Sequence, residues 1–118
     1  MAQVTCIHEE AAPVVIEWLE FRVAAGFREE FVRIDERIWT AALMRYPGFI
    51  GKEVWLDPGA DDRLVLVIRW HSRAQWKAIP EVELTMIQKE FDLAVGDRAH
   101  TLVKSAEFQI RKFCDRGE

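Results

Sequence analysis

Arg69, Trp70 and His71 end a run of strand residues, and a serine follows them: LVLVIRWHSRAQW occupies positions 64–76. A guanidinium, an indole and an imidazole at one strand end have the makings of a site. The indole would wall a pocket, and the imidazole would pass a proton near neutral pH. Strand geometry divides the three, because successive side chains point to opposite faces. Trp70 goes with Leu66 and Ile68, and Arg69 and His71 go to the other face. A single three-residue centre is thus the reading that alternation disfavours. Trp70 remains as a pocket wall or a core residue, and His71 as a general base or a histidine bonded at the sheet rim.

Two further residues could do chemistry. Asp35 and Trp39 lie at the edge of the apolar arc of a helix. A carboxyl beside apolar groups holds its proton to higher pH and is suited to acid–base work. The plainer alternative is a flank residue paired with Arg or Lys. Asp35 and His71 are the candidate catalytic groups. Trp18, Trp39, Glu53, Trp55 and Trp70 are the candidate pocket lining. No two histidines fall at metal-ligand spacing, so no metal or cofactor is expected. No Ser-His-Asp pattern, P-loop or dinucleotide fingerprint is present.

The elements that must carry these residues read as follows. PVVIEWLEFRV (13–23) is a strand with apolar residues on both faces. Residues 26–45 form a helix, with Phe27, Phe31, Ile34, Ile38 and Ala42 as its inner stripe. YPG at 46–48 stops it. FIGKEVWLD and RLVLVIRWH are two strands joined by the loop PGADD. Phe49, Gly51, Glu53 and Trp55 are expected to share one face. A second helical region follows, with Ser72 as N-cap, a break at Pro80 and an end at Gly96. Trp76, Ile79, Leu84, Ile87, Phe91 and Val95 form its inner stripe. TLVKSAEFQIRKF is the last strand, with Ala106, Phe108 and Ile110 alternating against Glu107, Gln109 and Arg111.

The order is β-α-β-β-α-β, an α+β ferredoxin-like arrangement: a four-stranded antiparallel sheet with two helices on one face. The other face would expose Val, Ile and Trp to water. Pairing two sheets buries it, so a homodimer through the open sheet face is expected. Glu17, Glu20, Lys52, Glu53, Arg69, Glu107 and Arg111 are charges on strands. Some must enter that interface, where an unpaired charge is expensive.

The totals fit one domain at 13–113, with tails at 1–12 and 114–118. A formal net charge of −4 argues against a nucleic-acid surface. No apolar run is long enough to span a bilayer. The two cysteines, Cys6 and Cys114, form no CxxC pair, and a reducing cytoplasm with no disulfide is the expectation. Five tryptophans are many for one small core, so some should face a pocket or a partner.

PGFIGKEVW (47–55), LVLVIRWHS (64–72) and AQWKAI (74–79) resemble the dimeric α/β barrel superfamily, in its antibiotic biosynthesis monooxygenase-like branch. The resemblance covers about residues 13–113. IEWLEFRV, RIWTAAL, KEVW and WKAIP are similar to a small, mainly cyanobacterial family within it. The superfamily includes cofactor-free monooxygenases of polyphenolic substrates, haem-degrading enzymes and members without known activity. Haem-degrading members use an Asn on the first strand, a Trp ending the third and a His on the second helix. Trp70 matches the Trp, but the chain has no Asn, and 73–95 holds no His. The resemblance therefore implies a dimeric α/β barrel that binds a small apolar or aromatic molecule, extending to cofactor-independent oxygenation. A non-enzymatic structural or regulatory dimer is the alternative. Haem binding without degradation is a third reading, for which His71 or His100 would have to be the ligand.

Overall fold

The structure is a computed structural model that describes residues 5–8 and 13–116. Its elements are β1 (Thr5–His8), β2 (Val15–Val23), α1 (Arg28–Asp35), a π-helical turn (Glu36–Thr40), α2 (Ala41–Leu43), β3 (Phe49–Leu56), β4 (Arg63–Trp70), α3 (Arg73–Lys77), α4 (Glu81–Val95), β5 (His100–Gln109) and β6 (Lys112–Asp115). The main sheet is antiparallel in the order β3-β4-β2-β5. The helices cover one face, which is the ferredoxin-like α+β architecture expected from the sequence.

Alternation works as physics requires on the two central strands. Val15, Glu17, Leu19, Phe21 and Val23 of β2 stand opposite or in phase with Trp70, Ile68, Leu66 and Leu64 of β4 on the helix side. All four β4 residues are buried. The inner stripe of the first helix, Phe27, Phe31, Ile34, Ile38 and Ala42, is also buried. Ser72 caps α3 by accepting the Gln75 backbone N–H at 3.1 Å. The chain breaks at Pro80 before α4 starts at Glu81, since Pro lacks the N–H that a continuous helix would use.

The core falls into two clusters. One gathers Phe27, Phe31, Ile34, Leu64, Leu66, Phe91 and Val95. The other gathers Val15, Leu43, Ile68, Trp70 and Ile79. Leu19 and Trp39 pack against both. α4 buries only Phe91 and Val95, near its end. The rest of that helix leaves space above the sheet between the two clusters.

Two expectations need correction. The face assignment on β3 fails at a bulge: Phe49 pairs with Trp70 and Gly51 with Arg69, so Ile50 is the extra residue. Phe49 therefore joins the helix side, edge-on to Trp70 at 5.7 Å, and Lys52 follows it there opposite Ile68. Gly51, Glu53 and Trp55 remain on the open face. The alternation expected on β5 holds: Phe108 pairs with Ile16 and Ala106 with Trp18 on the open face, where Phe108 is exposed, and Glu107 pairs with Glu17.

The second correction concerns the ends. β1 and β6 form a separate two-stranded sheet in which Cys6 is the register partner of Cys114. Cys114 is disulfide-bonded. Sequence separation hid this, because the fold brings the two ends of the chain together. Of the expected N-terminal tail, residues 1–4 and 9–12 lie outside the described residues.

Gly48 is a turn residue that nothing else could replace easily. Its φ is +96°, and an added Cβ would lie 2.5 Å from the Cβ of Gln75. Its carbonyl accepts the His71 backbone N–H at 2.7 Å. The turn thereby fixes the start of β3 against the end of β4.

Candidate functional site

Between sheet and helices lies a cavity of about 1000 Å³, at the upper end of the roughly 300–1,000 Å³ usual for ligand sites. Its floor is Leu19, Phe21, Leu66 and Ile68, and its walls include Trp39, Trp70, Trp76, Phe31 and Phe91. Glu81, Thr85, Gln88, Lys89 and Asp92 of α4 line it while also being exposed, so its mouth runs along that helix. From Glu17 to Phe21 on the floor is four residues of strand, about 13 Å, enough for a fused-ring molecule lying along β2.

Glu17, Asp35 and Lys52 bring ionisable groups to the sheet end and helix wall of this apolar space. Lys52 Nζ and Asp35 Oδ2 form an ion pair at 2.5 Å, with both side chains 4% exposed. Glu17 accepts a hydrogen bond from Trp70 Nε1 at 3.3 Å. Glu17 and Lys52 are cross-strand neighbours of the same residue, Ile68, one on each side. Both therefore project from one row of the sheet. Among the described residues no buried side-chain polar atom lacks a partner.

Asp35 is the last residue of the regular helix α1, and a local irregularity follows it: the next five residues, including Trp39, form a π-turn. A π-turn re-phases the helix surface, and such turns recur at functional sites. Asp35 is buried, and both Asp35 and Trp39 line the cavity.

Burial governs the titration of both carboxyls. Loss of water pushes Glu17 above its ordinary 4.5, and the Trp70 N–H together with the charges of Lys52 and Lys77 offsets this only in part. Asp35 is likewise raised from 3.8 by burial, with Lys52 pulling the other way and Glu36 adding to the rise. The Lys52 ammonium is held by Asp35 and faces Glu17 across Ile68.

Of the residues singled out from the sequence, Asp35, Trp39 and Trp70 come together around the cavity. Trp18, Glu53 and Trp55 lie on the opposite face of the sheet, where Glu53 pairs with Arg69 at 3.3 Å. His71 is exposed beyond the end of β4. His100 lines the far end of the cavity, its ring 5.8 Å from those of Phe31 and Phe91. Sequence reasoning did not place Glu17 or Lys52 in the site. Glu17 did carry a signal: it is the one charge on the otherwise apolar inner side of β2. Lys52 carried none, because its side depends on the bulge.

No group of three or more His, Cys, Asp or Glu side chains among the described residues could hold a metal ion. No helix among them is long and apolar enough to cross a membrane.

Comparison with known proteins bears on this arrangement. The fold is similar to that of SnoaB, a cofactor-independent oxygenase from Streptomyces nogalater, with a TM-score of 0.64 and 21% identity over 85% of this chain and 95% of that one. A putative antibiotic biosynthesis monooxygenase from Bordetella bronchiseptica matches with a TM-score of 0.64 and 18% identity, over 82% of this chain and 96% of that one. A haem-degrading protein from Mycobacterium tuberculosis matches with a TM-score of 0.53 and 22% identity, over 84% and 92%. At these identities the likeness is one of fold. No curated protein sequence matches the chain. Residues 14–79, more than half of the chain, match the antibiotic biosynthesis monooxygenase family, and the chain belongs to that family.

Proposed function

We propose that this protein binds a small, flat, largely apolar aromatic molecule in the cavity between sheet and helices and oxygenates it without a cofactor. The observation that carries the reading is the cavity itself: indole and phenyl walls around a short row of buried charge. Apolar walls with a few placed polar groups are what small-molecule sites require. Likeness of fold to SnoaB, a cofactor-independent oxygenase, supports the oxygenase half. In such a reaction the substrate's own electrons reduce oxygen, and the protein supplies shape, dryness and a means to move a proton. Asp35 serves as the anchor of Lys52. His71, exposed and away from the cavity, has no part in this reading.

The working unit is a homodimer through the open sheet face. Trp18 and Ile16 stand there beside the exposed Trp55 and Phe108, a surface whose burial repays association. The expected cytoplasmic location stands against the disulfide at Cys114, which fits an oxidising compartment. Trapping thiols in intact cells decides it: an alkylated Cys114 places the protein in a reducing compartment.

The test of function is oxygen uptake with a panel of polycyclic phenols. Saturable uptake, reduced at least tenfold in Ile68→Trp, which fills the cavity floor, supports the reading. Phenols that bind with no uptake above buffer favour the non-enzymatic dimer.

A further inference from the structure

Val82, Met86 and Leu93 of α4 are 67%, 67% and 76% exposed. With Met44 they are the most exposed large apolar side chains among the described residues. Positions 82, 86, 89 and 93 follow one another at intervals of four, three and four residues. That spacing is the seam of paired helices, narrower than the stripe that packs a surface helix on its own core. The core-facing residues of α4, Phe91 and Val95, lie on the other side of the helix, so the seam is left to solvent.

The flanks of the seam select what would cover it. In heptad terms Val82 and Lys89 stand at d, and Met86 and Leu93 at a. The adjoining e and g positions are Glu83, Thr85, Glu90 and Asp92, three carboxylates and a hydroxyl. A second copy of α4 would set carboxylate against carboxylate in either helix direction, and like charges at these positions repel. A helix with Lys or Arg at its own e and g positions would pair with all three. Lys89 asks for one carboxylate opposite it and so sets the register. Met86 suits such a surface, because an unbranched thioether adapts to a partner's shape. Beside the seam, Arg45, Tyr46, Glu83, Met86 and Ile87 line a groove of about 420 Å³, in which the Tyr46 hydroxyl donates to Glu83 at 2.5 Å. The groove gives a side chain of the docked helix a place to insert.

We infer that the outward seam of α4 is a docking site for an amphipathic helix of another protein, apolar along its own seam and basic on both flanks. Helix-in-groove recognition of this kind needs apolar anchors at helical spacing, with charge to choose the partner. The site is independent of what the cavity holds. The open sheet face lies on the opposite side of the main sheet, so a homodimer formed there would present two such seams.

The test uses synthetic peptides of about three heptads, with Leu at a and d, one central seam Glu to meet Lys89, and either Lys or Glu at every e and g position. Fluorescence anisotropy of the labelled peptides, titrated with the full chain, measures binding. The Lys-flanked peptide is expected to bind about tenfold more tightly than the Glu-flanked one, or better, with the gap narrowing as salt is raised. Met86→Ser/Leu93→Ser should weaken its binding by about tenfold or more, because two apolar side chains lose their burial. Glu90→Lys/Asp92→Lys should shift the preference towards the Glu-flanked peptide. All four positions are exposed, so these variants should melt with the wild type. Where one fails to fold, the wild-type preference between the two peptides decides alone. Equal affinity for the two, binding of neither, or Lys-flanked binding unchanged in Met86→Ser/Leu93→Ser overturns the inference. Sedimentation adds a further check: an assembly larger than a dimer that Met86→Ser/Leu93→Ser dissolves would give the seam to a second copy and overturn it. Binding to phosphatidylcholine vesicles that is lost in the same variant would give the seam to a lipid surface, with the same consequence.

Discussion

Lys52 on the edge strand β3 and Asp35 at the end of α1 meet at 2.5 Å with both side chains almost fully buried. This contact closes one side of the cavity and ties the helix to the sheet edge.

A buried ion pair resists the loss of one partner more than the loss of both. Lys52→Met leaves a carboxyl in an apolar site and should destabilise the fold by about 3–5 kcal/mol. The double variant Asp35→Leu/Lys52→Met should recover at least half of that. Urea unfolding of the four proteins measures it. Additive losses in the double variant would show that the two residues do not act as a pair.

The raised carboxyls set a pH dependence of stability. Glu17 in the folded protein keeps its proton to a pH at which the unfolded chain has released it. The native state then binds more protons, so stability falls as pH rises from 4.5 to the raised native value. Asp35 acts in the same direction from 3.8. Glu20, lowered mainly by its hydrogen bond with Arg63, has the opposite sign. So does Asp57, lowered by the Gly59 N–H and by Arg63. Glu17→Gln separates these effects: its stability relative to wild type should grow as pH rises through the window above 4.5 and be flat below it. Melting temperatures of both proteins across that range provide the check. A constant difference would exclude a raised Glu17.

Gly48→Ala should destabilise. The left-handed backbone alone costs a non-glycine residue about 1–2 kcal/mol, and the Cβ clash with Gln75 adds to it. Gly26→Ala pays only the first cost, since nothing lies within 4 Å of its added Cβ. The expected order of stability is wild type, Gly26→Ala, Gly48→Ala, read from chemical unfolding. Equal losses would discount the close approach to Gln75.

Reduction should loosen the joined ends. A cross-link closing a loop of about 100 residues is worth about 4–5 kcal/mol in the chain-entropy account. Cys114→Ser, or wild type with reductant, should melt at a lower temperature than the oxidised protein. Added reductant should not shift Cys114→Ser. Identical melts for oxidised and reduced wild type would show that the link constrains little.

How far the sequence revealed this site depends on the kind of signal each residue carried. Trp70, Leu66 and Ile68 were assigned to one face because β4 is regular and alternation is strict. The inner stripe of the first helix followed from helical spacing, and Asp35 and Trp39 from their place at the edge of that stripe. Lys52 could not be placed, because one extra residue at Ile50 reverses every side chain after it. The tryptophans of the open face looked like pocket lining only because aromatic residues announce burial without saying against what. The partnership of Cys6 and Cys114 is a product of tertiary structure, between residues at opposite ends of the chain.

The central claim is that the cavity holds a small aromatic molecule. Native mass spectrometry of the protein isolated from its own host tests it most directly. The account predicts an assembly heavier than two copies of the chain by a few hundred daltons per protomer, with the excess lost on denaturation and absent from Ile68→Trp. A mass equal to the bare chain or its bare dimer, the same for wild type and Ile68→Trp, would contradict it.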